Sequence, residues 1–364
     1  MSFSSNLASW WLSFYKTFFW IINLIVLLLL LFSYLNPYVS PERCYYLAII
    51  GLGYPFYLIS NLLFIPFWFY HRERKAYFSL VALIIGFSYV LNLLALNFGH
   101  TPSPLADDYQ FMTYNVRYFN SASLKSTEAE ALEKKRNQIL TQIQEEDPDI
   151  FCGQEFSGKR DSDTEFLHKT LSRKWKYACR RGFSSLVIYS KYPIQDKGVI
   201  NFKDSYNGII YADIAFPKGT MRVYNMHLQS IRLARREKKL DPLRNINQEQ
   251  NRYREIGSKL KKAFIMRASQ VAQLLEHIKK SPHPVVLCGD LNDTPISYAY
   301  GQLVKHLKDS FRSRGLGFGT TYAGSFPLLR IDYILVSPVL KIKTHQVVSK
   351  TFSDHYPVLS RLSF

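Results

Sequence analysis

The chain divides into two parts by the length of its apolar runs. Residues 1–100 contain three long runs, at about 17–35, 45–70 and 76–98, which few polar side chains interrupt. Each run is close to the ~20 residues that a helix needs to cross the hydrocarbon of a bilayer, and aromatic residues crowd the ends, as they do at membrane interfaces. We therefore predict a membrane domain of three transmembrane helices over residues 1–100.

A cleaved signal peptide is the alternative explanation of the first run. It is disfavoured because only Lys16 precedes the run, no small-residue cleavage site follows it, and two further apolar runs come later. Asn23, Asn61, Asn92 and Asn97 lie within the runs. Hydrogen bonds between helices are their expected role, and a polar site within the membrane is the alternative.

The basic residues between the runs predict the orientation of the chain. Segment 71–75, HRERK, is the only strongly basic connection, so it is expected on the cytoplasmic side. The connection 36–43 and the segment 99–108, which includes Asp107 and Asp108, then lie outside. The chain is thus predicted to be an integral protein of the plasma (inner) membrane, with the part after the third run on the outer, periplasmic side.

After a short spacer the pattern changes to short apolar runs. Residues 101–108 form a predicted linker, in which Thr101–Pro104 favours a stiff, extended backbone. Residues 109–364 then form one domain of predicted strands and two amphipathic helices. The strands are predicted at 109–116, 149–155, 184–190, 208–216, 221–228, 285–290, 331–336 and 357–362, and the helices at 126–146 and 263–280.

Strands outnumber helices in this second part, which predicts an α+β fold rather than repeated βαβ units. Many of the strands are apolar on both faces and therefore need a cover on each side. Two sheets packed against each other, with helices on the outside, satisfy that requirement.

The stretch Val285–Pro295, VVLCGDLNDTP, is the leading candidate for a functional segment. Its four apolar residues predict a buried strand. Asp290 and Asn292 follow at a spacing of two, which directs both side chains the same way in extended chain. The alternative is an ordinary turn, since GD, ND and TP are common turn pairs. Four other polar clusters lie at the ends of apolar runs in the same way, which favours the functional interpretation.

Net charge points to an anionic partner. The chain carries +18, and residues 101–364 account for +15, with 41 of the 46 Lys and Arg and 26 of the 28 Asp and Glu. Such an excess favours nucleic acid or an anionic membrane surface, and charge that serves only solubility is the alternative. Eleven of the basic residues lie in 232–262, which is either a solvated helical face or an anion-attracting arm.

Polar side chains that close the apolar runs form a candidate metal and phosphate site. They are Asn115, Glu155, His227, Asp290, Asn292, Asp332, Asp354 and His355. Singly, each has an ordinary structural explanation. Together, the carboxylates and the lack of zinc-type cysteine spacing predict a hard cation such as Mg²⁺ or Mn²⁺, and two histidines beside it suit proton donation or transition-state contacts. The set predicts metal-assisted phosphoester hydrolysis.

Six motifs occur in a fixed order: TYNVR (113–117), GQE (153–155), NMHLQS (225–230), GDLND (289–293), RIDYILVS (330–337) and SDHYPV (353–358). The set resembles the endonuclease/exonuclease/phosphatase superfamily, which includes pancreatic-type DNases, abasic-site endonucleases, neutral sphingomyelinases and inositol-polyphosphate phosphatases. The resemblance covers about residues 109–364. It implies a four-layer α/β/β/α sandwich of two mixed sheets. In the chain this sandwich follows the three transmembrane helices that the apolar runs predict.

The resemblance also implies a metal site and a base. Glu155 is expected to be the principal ligand of Mg²⁺ (or Mn²⁺), supported by Asn115 and Asp354. Asp290 is expected to orient and deprotonate the attacking water, and Asn292 to hold a phosphate oxygen.

Two histidines complete the implied site. His355 is expected to stabilise charge in the transition state, with Asp332 fixing its tautomer and direction. His227 is expected on the other side of the phosphate, as hydrogen-bond donor or general acid. The carboxylate that should support His227 has no clear match in this sequence.

The resemblance leaves the substrate open. The NMHLQS motif is closer to sphingomyelinase-like and pancreatic-DNase-like members, and the inositol-phosphatase signature is absent near RIDY. A phosphodiester in nucleic acid is the first expectation. A phospholipid headgroup, including lipid-anchor remodelling, is the second, and a non-catalytic membrane-tethered binding module is the least favoured. No obligate protein partner is evident.

Overall fold

The computed structural model describes residues 2–99, 105, 107–120, 129–158, 161–181, 185–203, 205–231, 246–324 and 328–364. They form two compact units, Met1–Leu91 with Ile296–Tyr298 and Asn92–Pro295 with Ala299–Phe364. The predicted spacer Thr101–Pro104, the start of the helix predicted at 126–146 and the basic segment 232–245 lie outside the described residues.

Apolar helices make up nearly all of the first unit. The stretch Ser13–Ser33 is long and apolar enough to cross a membrane, and up to three crossings result if each of two bent helix pairs counts as one span. The pairs bend by 51° and 68°, so three spans remain a prediction. The helices are α1 (Ser2–Ser33), α2 (Pro41–Leu52), α3 (Tyr54–Tyr70), α4 (Ala76–Ile85) and α5 (Phe87–Leu93).

Buried polar side chains in these helices bond to one another. Asn23 Nδ2 donates to Ser79 Oγ at 3.0 Å, and Asn23 Oδ1 accepts from Trp68 Nε1 at 2.7 Å. The Ser79 hydroxyl in turn donates to Asn61 Oδ1 at 2.9 Å. Hydrogen bonding between helices, the expected role of Asn23 and Asn61, is therefore what the structure contains.

The helical structure of the third apolar run ends earlier than predicted. Helix α5 stops at Leu93, and residues Ala95–Leu96 form a short strand, β1, instead of continuing a helix to residue 98. The reason lies in two asparagines. Asn92 Nδ2 donates to Pro295 O at 3.1 Å and Asn97 Nδ2 donates to Gly315 O at 3.0 Å, so these residues belong to the second unit.

Two six-stranded sheets form the frame of the second unit, with the strand orders β10-β12-β9-β8-β7-β6 and β13-β14-β2-β3-β5-β4. Each sheet is mixed, because β8 pairs with β9 in parallel and β2 pairs with β3 in parallel, while their other pairs are antiparallel. The strands are β2 (Tyr109–Asn115), β3 (Ile150–Gln154), β4 (Tyr177–Arg181), β5 (Leu186–Ser190), β6 (Ile194–Asn201), β7 (Gly208–Phe216), β8 (Gly219–His227), β9 (Val285–Asp290), β10 (Lys308–Asp309), β12 (Asp332–Val336), β13 (Lys341–Val347) and β14 (Val358–Ser363). A further short strand, β11 (Leu316–Gly317), pairs with β1.

Three apolar cores hold four layers together. The central core joins the inner faces of both sheets, with Phe111, Ile188, Val223 and Cys288 among its buried members. The sheet that contains β2 packs its outer face on α6 (Ala129–Glu146) and α7 (Asp161–Leu171). The sheet that contains β9 packs on α8 (Ile246–Lys279) and α9 (Tyr298–Leu303). A last short helix is α10 (Ser310–Arg314). The predicted α/β/β/α sandwich of two mixed sheets is confirmed.

Gly289 allows the central strands β8 and β9 to approach closely. Its φ is +131°, and a Cβ at this position would lie 2.0 Å from Met226 O. Any other residue would therefore push apart the two strands that end at His227 and Asp290.

Candidate active site

The sheet register brings the predicted residues to one edge of the sandwich. Strands β8 and β9 run parallel, with His227 opposite Asp290, and β12 runs antiparallel to β9, with Asp332 opposite Asp290. In the other sheet β2 and β3 are parallel and end together at Asn115 and Gln154. Because parallel strands end at the same edge, side chains far apart in sequence converge there.

Asp290 lies at the centre of the converging side chains and is buried. Its Oδ2 accepts a hydrogen bond from Asn115 Nδ2 at 3.0 Å, and the same amide lies 3.5 Å from Glu155 Oε1. His227 Nε2 is 3.8 Å from both Glu155 Oε1 and Asp290 Oδ2. His355 Nε2 lies 3.9 Å from Asp290 Oδ2. One carboxylate therefore faces two imidazoles and an amide.

His355 and Asp332 form a short, buried pair. His355 Nδ1 is 2.9 Å from Asp332 Oδ2, and the Asp332 backbone is held by Thr321 Oγ1, which accepts its N–H at 3.0 Å. Burial alone would lower the pKa of His355, but the carboxylates of Asp332, Asp290 and Asp354 outweigh it and raise the pKa to about 10. The three carboxylates thus favour the protonated imidazole, whose Nε2 lies 3.9 Å from Asp290 Oδ2.

Two acids of the site, Asp290 and Glu155, are buried and have raised pKa values. Burial, with repulsion from Asp332, raises the pKa of Asp290 to about 7. Burial also raises the pKa of Glu155, and Asp354 adds to the effect. Asp290, Asp332 and His355 form a buried group whose N and O atoms lie within 4.8 Å of one another, a spacing that suits a metal ion only when the imidazole is neutral. Oxygen donors dominate, which fits a hard divalent cation, and such a charge would relieve the cost of burying these acids.

Asp354 and Asn115 are held by Arg117. Arg117 Nη1 lies 3.1 Å from Asp354 Oδ2, and the Arg117 backbone N–H donates to Asn115 Oδ1 at 3.0 Å. Ser353 Oγ, next to Asp354, donates to the Asn115 carbonyl at 2.8 Å. The end of β2 and the loop before β14 are therefore fixed together beside Glu155.

The structure places Asn292 beside Asp290 but directs its amide elsewhere. The Asn292 backbone N–H donates to Asp290 Oδ1 at 2.7 Å, whereas Nδ2 donates to Leu228 O at 3.0 Å. The backbone φ of Asn292 is +55° and that of Glu155 is +51°, values that residues other than glycine rarely adopt. Left-handed backbone at two site residues is typical of functional loops. The phosphate-holding role of Asn292 stays a prediction.

Several residues that shape the site carry no recognisable signal in the sequence. Thr321 and Tyr322 reach it through an isolated β-bridge between Tyr322 and His355, and the Tyr322 ring meets the imidazole edge-on at 5.4 Å. Arg267 of α8 reaches the loop after β9 through its bond to Asp293. Arg117 and Asp293 could have been found beforehand, because they end the motifs TYNVR and GDLND.

Comparison with known families agrees with this geometry. A family model described as Endonuclease/Exonuclease/phosphatase family matches residues 112–355. The chain belongs to the endonuclease/exonuclease/phosphatase family. Residues 16–93 match a second model, described as a domain of unknown function (DUF8431). No curated protein sequence matches the chain. Membership makes the chain a phosphoesterase of the nuclease and phosphatase type.

Solved structures share the fold of this family member at low sequence identity. A mannosyl-6-phosphatase of Bacteroides thetaiotaomicron is 18% identical, with a TM-score of 0.50 over 70% of this chain and 100% of that one. The human Nocturnin catalytic domain with bound sulfate is 16% identical, with a TM-score of 0.50 over 72% and 96%. A humanized D. rerio TDP2 is 16% identical, with a TM-score of 0.51 over 71% and 100%.

Proposed function

We propose that this family member is a membrane-anchored, Mg²⁺- or Mn²⁺-dependent phosphodiesterase in which water attacks the phosphorus in line, and that its substrate is nucleic acid. The observation that carries the proposal is the arrangement around Asp290. A buried carboxylate faces His227 and His355 at 3.8 and 3.9 Å, with the amide of Asn115 at 3.0 Å. These distances support a proposed general base, two proposed charge stabilisers and a positioning amide around one centre.

Asp290 is the proposed base. Its raised pKa, about 7, suits a group that must take a proton from water near neutral pH. Asn115 holds one of its oxygens and the Asn292 backbone N–H holds the other. Both hydrogen bonds fix the carboxylate, so its direction toward the attacking water is set before substrate binds.

His355 is the proposed stabiliser of charge on the phosphoryl oxygens. Asp332 holds Nδ1, which leaves the Nε2–H of a cationic imidazole for the substrate. His227 faces the same centre from strand β8 and is proposed to donate to the leaving oxygen. Preorganised donors of this kind provide the largest share of phosphoryl-transfer catalysis.

Glu155, Asn115 and Asp354 are the residues proposed to hold the divalent ion. Glu155 lies beside Asn115 and has a raised pKa, caused first by burial and in part by the charge of Asp354. The bound ion would supply Lewis-acid polarisation of a phosphoryl oxygen and would neutralise the acids. Arg117 already offsets part of the charge of Asp354.

Insertion in the plasma (inner) membrane, with the phosphoesterase domain on the outer side, is proposed from the helix that includes Ser13–Ser33 and from the basic segment 71–75. The same helix supports a second candidate substrate. An enzyme tethered to a bilayer meets phospholipid headgroups at high local concentration, so a lipid phosphodiesterase is the alternative. A non-catalytic binding module is disfavoured because Glu155, Asp290 and His355 are all present.

The test is hydrolysis of bis-p-nitrophenyl phosphate by the purified full-length protein. We expect turnover that requires Mg²⁺ or Mn²⁺ and is abolished by chelation. A parallel screen of DNA, RNA, sphingomyelin, phosphatidylinositol and simple monoesters then ranks the substrates. Fastest cleavage of DNA or RNA supports the proposal, fastest cleavage of a lipid supports the alternative, and turnover that persists in chelator contradicts both.

Orientation is tested with reporter fusions after Pro104. Alkaline phosphatase is expected to be active at this position and green fluorescent protein to be dark. The reverse pattern would place the phosphoesterase domain in the cytoplasm.

A further inference from the structure

One edge of the sandwich carries apolar side chains in an exposed position. Strands β1 and β11 pair there, with Leu96 opposite Leu316. Leu96 is 55% exposed and Leu316 is 60% exposed, and the flanking Phe98 and Phe318 are 79% and 45% exposed. Four large exposed apolar residues on or beside one short antiparallel strand pair form a cluster, unlike the single apolar residues that are scattered over most protein surfaces.

Basic side chains adjoin this apolar surface. Arg312 and Arg314 occupy the last turn of α10, directly before β11, and both are exposed. Asn97 Nδ2 donates to Arg312 O and Gly315 O at 3.3 and 3.0 Å, so the strand that presents Leu96 is tied to this helix. We call the set of Leu96, Phe98, Leu316, Phe318, Arg312 and Arg314 the edge patch.

A polar cavity of about 620 Å³ opens beside the edge patch. Arg314, Lys343 and Arg361 line it, together with Asn97 and Gly99 from the segment after β1. Burial lowers the pKa of His345, another lining residue, to about 4, so the positive charge comes from the three longer side chains.

Acidic groups at the cavity offset only part of its positive charge. Asp147 is paired with Lys174 at 3.0 Å and with Lys191 at 2.7 Å. Asp108 lies 4.0 Å from Lys343. Glu146 is a further lining carboxylate, and its pKa is raised by burial. Positive charge therefore remains at the two arginines.

We propose that the edge patch and its cavity bind the surface of an anionic bilayer, with the leucines and phenylalanines in the interface and a lipid phosphate at Arg314, Lys343 and Arg361. Large apolar side chains flanked by basic ones are what interfacial membrane binding needs. Leu96 and Phe98 are also the last large apolar residues of the third apolar run, beyond the end of helix α5 at Leu93. All of its residues belong to the second unit, so the inference does not depend on insertion of the helices.

The test measures how deeply the patch enters a bilayer. Full-length protein with Cys44→Ser carries an environment-sensitive fluorophore at Leu316→Cys or Phe318→Cys and is mixed with vesicles that contain doxyl-labelled lipid. Val199→Cys is the control, because Val199 is 43% exposed on β6. This strand lies at the end of its sheet that is opposite β10. The remaining cysteines, Cys152, Cys179 and Cys288, are buried.

We expect quenching at residues 316 and 318, and little at 199, in vesicles of equimolar phosphatidylcholine and phosphatidylglycerol. Each basic residue should contribute about fivefold to the binding of anionic vesicles, so Arg314→Glu with Lys343→Glu should remove the preference over pure phosphatidylcholine. Unchanged hydrolysis of the soluble diester by this variant shows that it is folded.

Three outcomes would overturn the proposal. The first is quenching at residue 316 that is no greater than at residue 199, and the second is equal quenching in neutral and anionic vesicles. The third is release of the patch from the vesicles by excess inorganic phosphate, because that result would assign the cavity to free phosphate. Carbonate extraction reports separately on helix insertion. Protein that is extracted and yet quenched at residue 316 supports the patch and contradicts the membrane anchor.

Discussion

Asp290 has a histidine on each side, and the two sides are built differently. On one side, His355 shares a 2.9 Å contact with the buried Asp332 and packs edge-on against Tyr322. On the other side, Nε2 of His227 lies 3.8 Å from both Glu155 and Asp290. His355 is thus fixed by one short charged hydrogen bond, whereas Nε2 of His227 faces two acids at longer range.

This difference separates the roles of the two imidazoles. A histidine whose proton is fixed by a buried carboxylate remains a cation and contributes charge. A histidine whose Nε2 lies 3.8 Å from two acids can shorten its contact with one of them when substrate binds. Removal of either should reduce catalysis, but removal of His355 should cost more and should alter the pH dependence.

The largest effect is expected for His355→Gln. The variant keeps a polar side chain of similar reach but removes the positive charge next to the phosphate, so kcat should fall by about 10³-fold. Steady-state hydrolysis of the diester measures it, with His306→Gln, an exposed histidine, as the matched control. A loss below tenfold would show that His355 does not face the reacting phosphate.

A smaller loss is expected for His227→Gln. If His227 protonates the leaving group, the variant should lose about 10² in kcat on a substrate with a poor leaving group. The loss should shrink when the leaving group is p-nitrophenolate, which needs no proton. Equal losses on the two substrates would contradict a general-acid role.

Asp332→Asn should act mainly on the pH profile. Asp332 helps to raise the pKa of His355, so wild-type activity that needs the imidazolium should persist to higher pH than the activity of the variant. Without the carboxylate, the pKa of His355 returns toward the ordinary value of ~6.5, so the alkaline limb of the pH profile shifts to lower pH. A loss in kcat of about 30-fold is expected at neutral pH.

The pH profile itself decides whether Asp332 acts through His355. The exposed Asp196→Asn is the control. An alkaline limb that stays in place, with only a lower plateau, would mean that Asp332 supports the fold rather than the charge of His355.

The smallest effect is expected at Arg267, which joins the loops that follow His227 and Asp290. Its Nε donates to Asp293 Oδ2 at 2.9 Å and its Nη1 donates to Gln229 O at 2.8 Å. Lysine cannot make both bonds, so Arg267→Lys should lower kcat about tenfold with KM nearly unchanged. Arg254→Lys, exposed on the same helix, is the control. A rise in KM alone would place Arg267 in substrate binding.

Much of the site was predictable because its residues end apolar strands. Asn115, Glu155, His227 and Asp290 each follow such a run, and parallel strands bring their ends to one edge. Tyr322 was not predictable, because its approach to His355 depends on a loop closed by tertiary contacts.

The strands and helices that the sequence did not predict are mostly those with weak apolar patterns. Strand β6 is an edge strand whose residues alternate between exposed and half-buried, so the sequence IQDKGVIN lacks an apolar face. The helix predicted at 263–280 begins at Ile246 in the structure, because its first half is polar and solvated. The part of the predicted basic segment that the structure describes, 246–262, is helical, which is compatible with both a solvated face and an anion-attracting arm.

The central claim is that Glu155 holds a divalent ion beside Asp290 and His355 and that hydrolysis depends on it. Its most direct test follows Mn²⁺ binding by electron paramagnetic resonance and diester hydrolysis in the same samples of wild type, Glu155→Gln and the exposed control Glu165→Gln. We predict that wild type and Glu165→Gln bind Mn²⁺ and hydrolyse the diester, and that Glu155→Gln loses both together. Hydrolysis by Glu155→Gln at the wild-type rate, or wild-type hydrolysis without bound ion, would contradict the account.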